Sequence, residues 1–271
     1  MANYTDIKKY VEQTQSVSLQ DDARTLRKFG RGTCWAKETR TMLMTQGSSP
    51  IAVETLTTAN LVDTLSSTGA NTATLGVQGF TVDTSGDLDF VEQDATMSGT
   101  TGVTLGTPVN TVTRMYVKEG TFASPSSVVA VPVYASESTN TGLTAGLPST
   151  MAYCKAVMPA SVNQTEKALT CTARNEYAAI ISVDASLPEA ASPTGTAAAD
   201  IKLEVKRKGG VFRPAGLEAA VGAQQRHVVV EFDPPEIVPP NSYFCLTAKA
   251  STVDLVVGGT ISGVIFRTQG A

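Results

Sequence analysis

The sequence predicts a mainly β protein, an antiparallel β-sandwich with a jelly-roll-like body and a short helical arm at its N-terminus. Three features predict it. From residue 40 to the C-terminus, Thr, Ser, Gly and Val recur in short alternating runs, best seen between Gly69 and Lys118. β-Branched residues suit a pleated, half-buried surface, and Gly, Asn, Asp and Pro supply the turns between such runs. The turn signals recur at the spacing of a sandwich or jelly roll. Hydrophobic residues make up 42% of the 271, enough for a sizeable core, and charged residues only 17%. The latter is low against ~25% for an ordinary soluble domain.

The arm is read over residues 1–49. Ser18 stands as an N-cap with Asp21 in capping-box position, and Leu19, Ala23, Leu26 and Phe29 fall at spacings of four, three and three. That pattern predicts a helix over Leu19–Phe29, with Arg24, Arg27 and Lys28 toward its C-terminal end and Gly30 as the stop. A weaker helix is expected over Asp6–Gln13. Leu19, Leu26, Phe29 and the lone tryptophan, Trp35, are the candidate partner contacts of this arm. On this reading residues 1–35 can be removed and leave a folded β body.

Strands are expected at Ala52–Thr57, Thr72–Gln78, Leu88–Met97, Val109–Val117 and Ser127–Tyr134, a first β module over residues 50–134. The turn-rich stretch Ala135–Pro148 marks a candidate boundary or long loop. A second set makes a C-terminal jelly-roll-like domain over 149–271. Its strands are expected at Ala152–Met158, Ala168–Thr172, Ala178–Asp184, Asp200–Lys206, Arg226–Asp233, Ser242–Ala248, Val253–Val257 and Thr260–Phe266. The apolar run Val228–Val230 suits a strand covered on both faces. The prolines around Glu236–Val238 place that stretch at an edge or in a crossing loop.

Charge and cysteine usage narrow the function classes. The net charge of −4 argues against a chain that coats nucleic acid. Residues 1–40 carry a net +3 and the remainder a net −7, so a mildly basic head could dock to an acidic neighbour. Cys34, Cys154, Cys171 and Cys245 stand far apart with no CxxC, and His227 is the single histidine, which leaves no zinc spacing. The first residues lack an apolar signal core, which points to synthesis in the cytoplasm and reduced thiols. No run is long and apolar enough for a membrane helix.

No constellation carries catalysis. A nucleophile needs a base beside it, and His227 lies next to a Val-rich strand. Asp83, Asp87 and Asp89 could offer hard oxygens to calcium, but Asp and Gly are ordinary turn residues and the EF-hand spacing is absent. Lys206–Gly210 is the strongest basic cluster and reads as a solvated hairpin turn. Asn163–Thr165 matches a glycosylation sequon without a secretory context. No catalytic residue, cofactor or metal is therefore assigned.

Several blocks carry a resemblance. Ala178–Ser186, Ile201–Arg213, Val228–Phe232 leading into Pro235–Pro240, Phe244–Ala250 and Val256–Gly263 follow one another in the C-terminal half. Thr72–Phe80 and Ala95–Val103 repeat a strand, Gly-rich turn, strand texture. Together they resemble structural proteins of tailed bacteriophages in which a jelly-roll-like β domain forms part of the virion. Thr172–Glu176 departs from the Pro-Ala-Gly-Lys-type turn of those relatives. The resemblance implies a non-enzymatic virion protein, of the capsid decoration or cement type. Its partners would be the major capsid protein or other virion proteins, and it would form a homo-oligomer, a trimer if on the head. A neck, tail or fibre-anchoring component and a carbohydrate-binding sandwich are the alternatives.

Overall fold

The computed structural model describes residues 4–34, 40–42, 44, 61–119, 131–160, 162–187, 197–222, 225–251 and 253–269. Helix α1 (Tyr4–Gln15) leads into β1 (Leu19–Cys34) and β2 (Thr41–Met42). Then come β3 (Val62–Ser67), β4 (Thr74–Val82), β5 (Leu88–Thr96), β6 (Val103–Val109), β7 (Thr111–Glu119) and β8 (Val133–Ser136). The short pair β9 (Leu143–Thr144) and β10 (Leu147–Pro148) precedes β11 (Cys154–Met158), β12 (Leu169–Thr172), β13 (Glu176–Ser186) and β14 (Ala198–Lys206). β15 (Arg213–Gly222), β16 (His227–Val238), β17 (Ser242–Ala250) and β18 (Leu255–Thr268) complete the chain.

Two sandwiches result. One sheet runs β1-β18-β13-β16 and a second runs β12-β17-β14-β15, with β2 added to β17. With β2 set aside, the first of these eight strands pairs with the last, the second with the seventh, the third with the sixth and the fourth with the fifth, all antiparallel. That order is a long antiparallel ribbon wrapped into a jelly roll. Between the sheets lies a core that includes Leu26, Ile180, Ile201, Leu203, Phe244 and Ile261. The second sandwich is inserted between β2 and β12. Its sheets β11-β8-β3-β6 and β5-β4-β7 enclose Leu65, Leu75, Val77, Val112, Met115 and Val133.

Alternation explains how β13 serves two layers. Ala178 and Ile180 face the jelly-roll core, then a register shift between Ile180 and Ser182 changes parity, and Val183 and Ala185 face it instead. An extra residue in one strand does this, because side chains alternate faces with a period of two. Ala179 and Ile181 point the other way, beneath α1. Ile7 and Val11, four apart on the helix, bury against Leu19, Ala179 and Phe266. The weaker of the two expected helices is thus the one that forms, and it is longer than expected.

Leu19–Phe29, expected as a helix, is strand β1. It pairs with β18 in an almost unbroken antiparallel register from Ala23↔Phe266 to Cys34↔Leu255. Helical spacing of four apolar residues was the weaker signal. The edge of β18 offers a full row of unpaired N–H and C=O groups, and pairing them outweighs local helix preference. The head of the chain is accordingly part of the jelly roll.

Other expectations shift for similar reasons. β11 pairs with β8, so Cys154–Met158 belongs to the inserted sandwich and the turn-rich stretch 135–148 lies inside one of its connections. The Gly258–Gly259 pair does not break the chain: β18 runs straight through it, and the Phe29 ring lies where a side chain at Gly258 would stand, 3.4 Å from the site of its Cβ. Val228–Val230 is not covered on both faces, because β16 is an edge strand and Val229 is 49% exposed. Ala52–Thr57 and the start of Ser127–Tyr134 lie outside the described residues.

Deleting residues 1–35 is therefore expected to abolish cooperative unfolding, read by circular dichroism, because it removes the closing strand. A folded remainder would contradict the role of β1. Leu26→Ala is expected to cost about 2–5 kcal/mol in urea denaturation, since it opens a cavity between the sheets.

Candidate functional site

The two sandwiches meet through a polar plug. In the β4–β5 turn, Asp83 Oδ1 accepts the N–H groups of Ser85 and Asp87, each at 2.8 Å. These backbone donors, Asp87 first, hold the Asp83 carboxyl below the usual carboxylate range. Asp87 Oδ1 accepts from Lys208 Nζ and Asn241 Nδ2, both at 2.7 Å, and Asn241 Oδ1 accepts the Leu88 N–H at 2.8 Å. Asp89 forms a two-pronged pair with the Arg174 guanidinium. Beneath lie Phe80, Leu88, Cys171, Ala173 and Tyr243, drawn from both sandwiches. The acidic turn is thus a docking element whose carboxylates already have partners. Among the described residues no group of three His, Cys, Asp or Glu is placed to hold a metal ion.

The basic turn Lys206–Gly210 joins β14 to β15, and Lys208 is the residue that reaches across to Asp87. A second cation completes the joint. Lys167, only 2% exposed, donates to the Val112 and Lys155 carbonyls, both at 2.8 Å, and to Thr111 Oγ1 at 3.4 Å. It stitches the strand leading into β12 to β7 and β11 of the inserted sandwich. A buried ammonium is tolerable when carbonyls replace its water.

Beside the plug a cleft of about 630 Å³ separates β1 from β4, β5 and β7. Arg24, Arg27, Lys28, Arg114 and Lys167 line it, and among the described residues no Asp or Glu does. Arg24 is anchored to Glu176 Oε2 at 2.8 Å and lies over the Phe90 ring, 5.4 Å from its centre. Glu176 is 2% exposed and also takes the Ala173 N–H, so it ties β1 to β13. Arg114 donates to Gln164 at 2.9 Å. Lys28 reaches across to the Thr113 carbonyl at 3.3 Å. Burial of its ammonium, reinforced by the Arg114, Arg24 and Lys167 cations and opposed by Cys171, brings its pKa down to about 7.

The expected contact residues separate. Leu19 is fully buried under α1 and Leu26 is 3% exposed in the jelly-roll core, so neither faces a partner. Phe29 is 42% exposed at the mouth of the cleft. Trp35 lies outside the described residues. His227 is exposed and hydrogen-bonds Asp184 Oδ2 at 2.7 Å, across the β13–β16 pair. All four cysteines are buried, and burial pushes the Cys154 thiol up to about 12. Among the described residues no helix is long and apolar enough to cross a membrane. Lys167 and Glu176 had no sequence signal, each being an ordinary charge near one of opposite sign, Glu166 and Arg174. Arg24, Arg27 and Lys28 were visible as a basic cluster but were placed on a helix.

No family model and no curated protein matches the chain. Among solved structures it is similar to one of infectious bursal disease virus, Gx strain, at 7% identity and a TM-score of 0.24, covering 93% of this chain and 74% of that one. A VP2 subviral particle of the same virus follows at 9% identity and a TM-score of 0.20, covering 99% of this chain and 79% of that one. Superpositions this loose carry no argument about fold or role, and the jelly roll rests on strand order.

Two outcomes are expected. Asn241→Ala leaves the Leu88 N–H and Asp87 short of a partner and should cost about 1–3 kcal/mol in thermal or urea denaturation. For Lys28 the folded pKa of about 7 lies below its ordinary 10.5, so between these values the unfolded chain binds more protons. Its penalty is fully present below pH 7 and fades as pH rises toward 10.5. Lys28→Met should thus be more stable than the parent at pH 6, on the order of a few kcal/mol, with the gap closing by pH 10. An unchanged gap across that range would refute the assignment.

Proposed function

We propose that this chain is a non-enzymatic structural protein of a virion, of the capsid decoration or cement type, stabilising the head through protein–protein contacts. The observation that carries the reading is the strand order: an eight-stranded jelly roll with a second sandwich inserted between its first and second strands. Jelly rolls serve capsids, lectins and cupins alike. The fold alone therefore does not assign the role, and the reading leans also on the phage-like sequence blocks. Two further features support it. The sandwiches are joined by ion pairs and an apolar seam, which suits a rigid spacer. The surface is low in charge and exposes Phe29, Val211 and Val229, the kind of scattered apolar contact that a neighbouring subunit covers. The partners are the major capsid protein or other virion proteins, with a homo-oligomer, trimeric on the head, as the assembled form. Of the candidate contacts among the described residues, Phe29 is the exposed one.

The test is the copy number of the chain in purified particles, by quantitative mass spectrometry against the major shell protein. Hundreds of copies are expected. Roughly six to twelve would assign it to a neck or tail ring instead. Absence from particles would overturn the virion reading and bring a glycan-binding sandwich forward. Phe29→Ser should lower particle attachment at least about tenfold, equivalent to about 1.4 kcal/mol, while the melting temperature stays close to that of the parent.

A further inference from the structure

We propose that the cationic cleft between the two sandwiches binds an oxyanion of the phosphate class, gripped by Arg24, Arg27, Lys28 and Arg114. The inference is independent of the virion reading and rests on an imbalance of charge. Arg24 and Lys28, on the Leu26 side of β1, converge with Arg114 and Lys167 on one cleft, Arg27 stands at its rim from the other face of the strand, and among the described residues the lining contains no carboxylate. Ion pairing elsewhere at this joint is thorough: Asp87, Asp89 and Glu176 each meet a cation. The cleft is where cations outnumber their partners.

Lys28 is the sharpest case. Its ammonium has one bond, a long 3.3 Å contact to the Thr113 carbonyl, although protein packs around it. Compare Lys167, which is more deeply buried but has two short carbonyl bonds and a third acceptor. A desolvated ammonium with a single weak acceptor is costly, and a bound anion removes the cost. Arg24 is held in place by Glu176 and the Phe90 ring yet stays 43% exposed, so part of its fork is free to face a ligand. Arg27 is exposed and has no ion pair or hydrogen bond among the described residues. Guanidinium forks suit tetrahedral oxyanions, which accept paired N–H bonds. The remaining polar lining, Gln78, Thr113 and Gln164, adds neutral donors and acceptors. The volume falls in the range of small-ligand sites, about 300–1,000 Å³.

The depressed pKa of Lys28 sharpens the test. The groups facing it are Arg114 from β7, Arg24 from its own strand, Lys167 ahead of β12 and Cys171 on β12. An anion favours the charged ammonium, so affinity should rise as pH falls from 9 to 6. Sulfate serves as the probe here because its own charge does not change over that range.

The experiment is calorimetric titration of the full chain at constant ionic strength with sulfate, pyrophosphate and a short oligothymidylate. Pyrophosphate is expected to bind saturably with Kd of about 1 mM or tighter. Lys28→Met and Arg27→Gln should each weaken it about tenfold or more, and Lys28→Met should also abolish the pH dependence of sulfate binding. Arg27→Gln alters an exposed side chain and keeps the test valid if Lys28→Met perturbs folding. Lys118→Met, outside the cleft and paired with Asp94 within the inserted sandwich, should leave affinity unchanged. Absence of saturable binding, or equal weakening by Lys118→Met, would overturn the proposal. Tighter binding of the oligothymidylate, lost in the same two variants, would identify a nucleic-acid backbone as the source of the phosphate. Binding no tighter than pyrophosphate would identify a small phosphate compound.

Discussion

The pairing of β1 with β18 is the constraint on which the rest of the structure depends. It joins the first strand to the last and so closes the ribbon into a jelly roll. With it in place, the β18 edge is covered, Leu26 and Cys34 enter the core, and Leu19 is set under α1. β1 thereby becomes the edge at its own end of the sheet, and β16 is the edge at the other, where its alternating exposed side chains and its prolines limit further ladder growth.

Insertion of a whole sandwich between two jelly-roll strands creates a second demand. The inserted body must be held in one orientation, and the joint does so with matched charges over an apolar seam. Asp87 and Asp89 project from the inserted sandwich, and Lys208, Asn241 and Arg174 answer from the jelly roll. Exposed pairs of this kind are each weak. Here the pairs surround the buried contacts of Phe80, Leu88 and Tyr243, which supply area while the polar groups fix register. Lys167 adds a clip at the chain crossing itself.

The cleft follows from the same insertion. Two convex sandwiches touching at a plug leave a gap beside it, and β1 lines that gap with the basic residues of the chain's head. A strand presents residues to both sides with a period of two, which is how Leu26 reaches the core while Arg27 and Phe29 reach the mouth of the cleft. Lys28 bears the cost of this arrangement. It is half-buried with one long carbonyl contact, and its lowered pKa reports that cost.

The β class, most strand positions in the C-terminal half, the edge character of Glu236–Val238 and the turn role of Asp83 and Gly86 are legible along the chain alone. These follow from local chemistry: alternation, β-branching, and the backbone freedom of turn residues. Gly86, for instance, adopts a φ of +80°, as the turn requires. Tertiary structure decided the rest. Residues 19–34 became a strand because β18 needed a partner, a demand no local window contains. Gly258–Gly259 continued a strand because β1 pairs with it on one side and β13 on the other. Residues 154–158 joined the inserted sandwich because β8 lay beside them. The basic cluster Arg24, Arg27 and Lys28 is visible in the sequence, but the cleft is not: Arg24 and Arg114 are brought together by the packing of two sandwiches, not by their place along the chain.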